Sequence, residues 1–157
     1  MPRGGTAVLA LVLAALALPA CGGGDDGVSR ENYADQVDRV CNQAERDLNE
    51  LDLRGARTSA EVTSLLDDVI VKSRAAVDRL RALDRPSGEA GETAQRFVDT
   101  LQQEFEEQAL PALEDLKRAI RTGDRAAAAD AADRLSGLEN ARSDRFAREL
   151  GADSCAA

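Results

Sequence analysis

Residues 59–83 read SAEVTSLLDDVIVKSRAAVDRLRAL, and this stretch has the clearest structural pattern in the chain. Its apolar positions recur in alternating steps of four and three, with Ser73 in the same stripe: Val62, Leu66, Val69, Ala76, Leu80 and Leu83. Such spacing matches the period of an α-helix, so these side chains share one face. Leu65 and Ile70 widen that face, as expected for a helix that packs on a core. The stretch predicts an amphipathic helix with its N-cap at Thr58 or Ser59.

Three other segments show the same apolar period, and they cover about residues 29–53, 89–121 and 125–150. Proline and β-branched residues are few and alternating patterns are absent, so no strand is predicted. The links between the segments carry helix-ending residues: Arg54-Gly55, Arg85-Pro86-Ser87-Gly88 and Thr122-Gly123. Four helices with short links predict an all-α fold, an antiparallel up-down four-helix bundle over residues 29–157.

The third segment contains a proline, Pro111, well inside its helical pattern. Proline lacks the backbone N–H and crowds the carbonyl group four residues earlier, here that of Glu107. We therefore expect the third helix to kink or break near Gln108.

The N-terminal residues precede the helical pattern and have a different character. Ala7 to Leu18 is an uncharged run of Ala, Val and Leu that follows Arg3. Its twelve residues fall within the roughly 7–15 of a signal-peptide core and below the roughly 20 that a membrane-spanning helix needs. We expect this segment to direct export. Ala15-Leu16-Ala17 fits ordinary signal cleavage, which would leave Cys21 as a free thiol near the new terminus.

Leu18-Pro19-Ala20-Cys21 offers a second cleavage site, because it resembles the lipobox of bacterial lipoproteins. The resemblance implies a signal peptide over residues 1–20 and a diacylglyceryl group on the sulfur of Cys21, the new N-terminus. Two acyl chains suffice for stable anchoring. Residues 21–28 are rich in Gly and Asp and would form a flexible tether. The implied location is the outer face of the cytoplasmic membrane, with the membrane itself as partner through the lipid.

Two further cysteines, Cys41 and Cys155, remain if Cys21 carries lipid. An even pair in an oxidising compartment predicts a disulfide. The pairing also suits the bundle, because it would tie the start of the first helix to the end of the fourth, and those two points lie at the same end of such a bundle. The alternative is two unpaired thiols, one in the first helix and one near the C-terminus.

Charge and composition exclude several classes of function. The chain has 29 acidic and 20 basic residues, and Arg3 is the one charged side chain in residues 1–20. Phosphate backbones repel so acidic a domain, so nucleic-acid binding is not expected. The sequence contains no His, which removes His-based triads and the common zinc motifs. No phosphate-binding loop or dinucleotide motif is present, and we expect no cofactor and no metal.

One polar cluster stands out beside the proline. Glu104, Glu106 and Glu107 precede Pro111 and alternate with glutamines. They form either a solvated acidic face or the edge of a pocket for a small ligand or cation near Glu104 and Pro111. The aromatic residues fall mostly on core stripes and predict packing: Tyr33, Phe97, Phe105 and Phe146.

The sequence favours a non-enzymatic, lipid-anchored helical module that binds or scaffolds an envelope protein. The layout resembles the uncharacterised small helical lipoproteins of actinobacteria, a resemblance that implies no known activity. The first alternative is a small-ligand or cation-binding lipoprotein that uses the pocket near Glu104 and Pro111. A hydrolase that works with carboxylates alone is the third hypothesis.

Overall fold

The structure is a computed structural model that describes residues 27–52, 54–138 and 141–156. These residues are helical, and none of them forms a strand, which confirms the predicted all-α class. The helices are α1 (Arg30–Asn49), α2 (Ser59–Arg81), α3 (Gly88–Glu104), α4 (Leu110–Thr122), α5 (Arg125–Ser136) and α6 (Ala141–Leu150). A π-helical turn, Phe105–Ala109, joins α3 directly to α4, and a 3-10 turn, Asp153–Cys155, follows α6.

Part of the predicted organisation lies outside the described residues. The signal peptide (residues 1–20), the lipidated Cys21 and the first residues of the tether are in this group, as is Leu53, the predicted end of the first helix. Within the described part, α1 ends four residues earlier than predicted, at Asn49.

Local hydrogen bonds explain where the first two helices begin. Ser29 caps α1, because its side chain accepts a hydrogen bond from the backbone N–H of Asn32 at 3.2 Å. Thr58 caps α2 through a reciprocal capping box with Glu61, which satisfies N–H groups that have no partner within the helix. The predicted N-cap at Thr58 is confirmed.

Pro111 disturbs the third helix without ending it. The preceding turn is π-helical, and the backbone N–H of Leu110 donates to the carbonyl oxygen of Phe105, five residues earlier. A wider turn relieves the crowding that proline imposes on the carbonyl groups before it. Since no residue separates α3, the π-turn and α4, they run as one long helix that ends at Gly123, whose φ of 72° is left-handed.

The prediction of one helix over residues 125–150 is wrong. Helix α5 ends at Ser136 with Gly137 as its C-cap, and α6 begins at Ala141. Glycine is unfavourable inside a helix by about 1 kcal/mol relative to alanine. The break also lets each half meet its own neighbour, because α5 packs on α4 and α6 packs on α3. The described part of the chain therefore contains five helices, with α3 to α4 taken as one, in place of the predicted four.

Two apolar clusters hold the helices together. The larger one joins α1, the end of α2, α3 and α6, and its most buried large side chains are Tyr33, Val37, Leu80, Phe97, Val98 and Leu150. The smaller one joins the first half of α2 to α4 through Leu66, Ile70 and Leu113, with Leu135 of α5 at its edge.

The two ends of the described chain meet beside the larger cluster. The guanidinium Nε of Arg30, at the start of α1, donates to the carbonyl oxygen of Leu150 at 3.2 Å. The chain then reverses at Gly151, where φ is 87°. The C-terminal segment, residues 152–156, runs back along α1, and the N–H of Ser154 donates to the carboxylate of Asp38 at 2.8 Å.

Candidate functional site

A cavity of about 600 Å³ lies between the two apolar clusters. Its walls come from α1, α2, α3, the π-turn, α5 and the C-terminal segment. Most of the lining is apolar and includes Val40, Leu48, Val77, Leu101, Phe105 and Leu138. Cavities of this volume fall within the usual range of small-molecule sites, roughly 300–1,000 Å³.

Regular helical spacing places the lining residues of α1 on one wall. Val40, Ala44 and Leu48 are four residues apart, so they fall on one face of that helix. On α2, Ser73 and Ala76 line the cavity from the same stripe that the sequence pattern identified, and Val77 beside them lines it as well. The wall formed by α1 extends about 12 Å from Val40 to Leu48, at a rise of about 1.5 Å per residue.

The π-turn forms the part of the wall opposite α1. Phe105 and Ala109, its first and last residues, both line the cavity and are half-buried. A π-turn contains one more residue per hydrogen-bonded turn than an α-helix, and such turns occur often at functional sites. Pro111, which the sequence predicts to kink or break the helix, lies two residues after this segment.

Glu104 is the one buried acidic side chain of the cavity wall, with 4% of its surface exposed. The hydroxyl group of Ser143 donates to its Oε2 at 2.5 Å, and Nε of Arg142 lies 3.4 Å from its Oε1. Both partners stand in the first turn of α6, where the helix dipole also favours a negative charge. A buried carboxylate without partners would strongly destabilise the fold, so these contacts allow Glu104 to remain inside.

Sequence reasoning placed Glu104 at the margin of the core but did not find Arg142 and Ser143. They lie 38 and 39 residues along the chain, beyond any local pattern. The break between α5 and α6 brings them to Glu104, and the predicted single helix gave no sign of that break.

Cys41 and Cys155 also line the cavity, and the structure places their sulfur atoms at bonding distance. Their Cα atoms are 5.5 Å apart, within the range that a disulfide requires. Cys41 lies in the middle of α1 and not at its start, so the C-terminal segment must run back along α1 to reach it. Asn42 supports this arrangement by donating from Nδ2 to the hydroxyl oxygen of Ser154 at 3.0 Å.

The rest of the predicted polar cluster faces away from the cavity. Glu106 and Glu107 are exposed and accept hydrogen bonds from Gln102 and Gln103, and Pro111 is exposed as well. Of the two residues that the sequence analysis assigned to a pocket, the structure thus places Glu104 in the cavity wall and leaves Pro111 outside it. Among the described residues, no group of three or more acidic or cysteine side chains could hold a metal ion.

Comparison with known proteins found no matching family model, no matching curated protein and no matching solved structure. In residues 27–52, 54–138 and 141–156, no helix has the length and apolar character needed to cross a membrane.

Proposed function

We propose that this protein is a non-enzymatic, lipid-anchored binding protein at the outer face of the cytoplasmic membrane, and that the cavity binds a small apolar ligand. The single observation that carries the ligand-binding proposal is the apolar lining of a space of about 600 Å³ within a small helical domain. The space is partly open to solvent and lined mainly by apolar groups, and apolar pockets of this kind are the usual sites of small-molecule binding.

Burial of apolar surface supplies the binding energy in this proposal. Each square ångström of apolar surface removed from water contributes about 25 cal/mol. The lining offers aliphatic side chains from four helices and the ring of Phe105, and its few polar groups could orient a ligand. This combination is typical of small-molecule sites.

The bundle arrangement belongs to the same proposal. We take α1, α2, the long α3–α4 helix and the α5–α6 pair as four antiparallel rods, the arrangement that the sequence pattern predicted. The pairs α1 with α2, α2 with α4, α4 with α5 and α3 with α6 are in contact, which supports this arrangement. The cavity then lies at the middle of the rods, where α5 and α6 separate.

The anchoring part of the proposal is supported by the lipobox-like residues that end at Cys21. The nine residues from Cys21 to Ser29 would reach about 16 Å as a flexible coil, enough to hold the domain just off the lipid headgroups. A ligand that partitions into the membrane would then be present at high local concentration beside the cavity.

The chemistry of the cavity favours binding over catalysis. Its buried carboxylate, Glu104, already accepts a hydrogen bond from Ser143 and pairs with Arg142. The second carboxylate of the lining, Glu45, is exposed. A carboxylate-only hydrolase needs two acids that are free to act on opposite sides of one bond, and both oxygens of Glu104 are already engaged by Ser143 and Arg142.

Fluorescence of the neutral probe N-phenyl-1-naphthylamine tests the ligand-binding proposal. The probe brightens in apolar surroundings, and we expect saturable binding to the full mature chain. Ala44→Phe places a ring in the cavity from α1 and should abolish binding. Ala129→Phe makes the same change at an exposed position of α5 and should leave binding unchanged. Absence of saturable binding to the parent protein, with helical circular dichroism intact, would contradict the proposal.

Intact-mass measurement of protein extracted from a lipoprotein-processing bacterium tests the anchor. We expect a chain that begins at Cys21, carries a diacylglyceryl group and lacks the two thiol hydrogens of Cys41 and Cys155. Cys21→Ser should release the protein from the membrane fraction. A chain cleaved after Ala17 without lipid would overturn the anchor while leaving the cavity proposal intact.

A further inference from the structure

We infer that the ligand of the cavity is an uncharged alkyl lipophile with a hydroxyl-type polar end, and that the cavity rejects the corresponding fatty-acid anion. This inference rests on the proposed function and adds the chemical class of the ligand. It comes from the distribution of charge in the cavity wall.

The charged side chains that line the cavity are both carboxylates. Glu45 and Glu104 both belong to the lining, and among the described residues the lining contains no Lys or Arg. Arg142 lies outside the lining and is already paired with Glu104, with 3.4 Å between Nε and Oε1. An anionic head group would lose its hydration, would find no cation in the lining to replace it, and would meet the exposed carboxylate of Glu45, so its binding is disfavoured.

A cationic head group gains little in the same place. The charge of Glu104 is already compensated by Arg142 and by the hydroxyl group of Ser143 at 2.5 Å. Glu45 is exposed, and ion pairs formed in water contribute little. The free-energy cost of removing water from an ammonium group near apolar walls is therefore not offset by a new ion pair.

A neutral hydroxyl head group matches the uncharged polar side chains of the lining. The lining contains two hydroxyl side chains: Ser73 on α2 and Ser154 in the C-terminal segment. Hydroxyl groups can donate and accept, so they can satisfy an alcohol without a net charge on either side. Burial of the alkyl part against Val77, Leu101 and Phe105 supplies the affinity.

Displacement of bound N-phenyl-1-naphthylamine by three dodecyl compounds tests the inference at pH 7.5. The compounds are dodecan-1-ol, dodecanoate and dodecylammonium, which share one chain length and differ in head-group charge. We expect dodecan-1-ol to displace the probe, dodecanoate to be at least about tenfold weaker, and dodecylammonium to bind more weakly than the alcohol. Glu45→Gln should improve dodecanoate relative to dodecan-1-ol, whereas Glu92→Gln, an exposed change on α3 outside the lining, should not.

The outcomes separate this inference from the proposed function. If the probe binds but dodecanoate or dodecylammonium equals or exceeds the alcohol, the head-group inference is wrong and the cavity remains a binding site. If neither the probe nor any dodecyl compound binds the folded protein, the proposed function itself fails. Displacement by the alcohol that persists unchanged in Ala44→Phe would place the site elsewhere and overturn both.

Discussion

Gly91 has a structural role that its position in a helix does not reveal. It lies near the start of α3, and a Cβ atom there would collide with the backbone carbonyl oxygen of Pro86. Pro86 is itself buried, so the oxygen cannot move away as a flexible side chain would. The close approach of the link to α3 therefore depends on the missing side chain.

We predict that Gly91→Ala destabilises the fold, although alanine is the better helix former. Propensity alone would favour the change by about 1 kcal/mol, but overpacking against fixed backbone costs about 1–3 kcal/mol. Urea unfolding followed by circular dichroism measures the difference. Gly27→Ala is the matched control, because a Cβ at that glycine meets nothing within 4 Å. A stabilised Gly91→Ala variant would contradict this prediction, because it would show that the backbone at Pro86 can move away from the added Cβ atom.

Glu61 contributes to stability in a pH-dependent way through the cap of α2. Its carboxylate accepts the backbone N–H of Arg57 at 2.7 Å and that of Thr58 at 2.9 Å. These hydrogen bonds lower the pKa of Glu61 below its usual value. Because the folded pKa lies below the unfolded one, the contribution is fully present above the unfolded value of about 4.3 and is lost as the pH falls through the folded value.

We predict that Glu61→Gln lowers the urea midpoint at pH 7 and that the gap to the parent protein narrows below about pH 4, near the unfolded pKa. The narrowing follows because protonated Glu61 resembles glutamine. Glu92→Gln, at an exposed position in α3, should show no comparable narrowing. If the difference in urea midpoint between Glu61→Gln and the parent protein stays constant from pH 7 to pH 3, the ionised carboxylate does not cause it.

At the scale of the element, the π-turn decides the shape of the long helix. The turn Phe105–Ala109 accommodates one extra residue as a local bulge, so α3 and α4 keep the facing directions that an uninterrupted α-helix would give them. In this arrangement α3 packs on α6 while α4 packs on α2 and α5. The sequence predicted a disturbance near Gln108 from Pro111, but proline chemistry alone does not distinguish a kink, a break or a wider turn.

We predict that deletion of Gln108, combined with Pro111→Ala, converts the turn to α-helix and keeps the protein folded. The deleted residue is exposed, and the alanine removes the need for the wider turn. The cavity loses part of its wall, so binding of N-phenyl-1-naphthylamine should weaken about tenfold or more. Deletion of Arg118 in the same background is the control, since it rotates the buried Ala119 out of register and should unfold α4. Unchanged probe binding after the Gln108 deletion would remove the π-turn from the site.

At the scale of the whole molecule, the link between Cys41 and Cys155 joins segments 114 residues apart in the sequence. It holds the C-terminal segment on α1 and so encloses one side of the cavity. Pairing was predicted from the count of cysteines and from the expected compartment. The position of Cys41 in the middle of α1, and the reversal at Gly151 that this requires, came from the tertiary structure.

We predict that reduction destabilises the protein substantially, by up to about 4–5 kcal/mol if loop-closure entropy alone operates. Urea unfolding with and without a phosphine reductant measures the effect. The Cys41→Ala/Cys155→Ala variant should unfold near the midpoint of the reduced parent and should not respond to reductant. Identical midpoints for the oxidised and reduced parent would show that the two cysteines are not paired.

The sequence by itself determined the all-helical class, the first residues of α1 and α2, the residue pair Cys41 and Cys155, and the disturbance before Pro111. These features depend on local properties: apolar period, capping side chains, cysteine number and the missing N–H of proline. Only the tertiary structure decided the break between α5 and α6, the contacts of Glu104 and the cavity. Each of these depends on which surfaces meet across long stretches of chain, and that choice is made by the packing of the whole molecule.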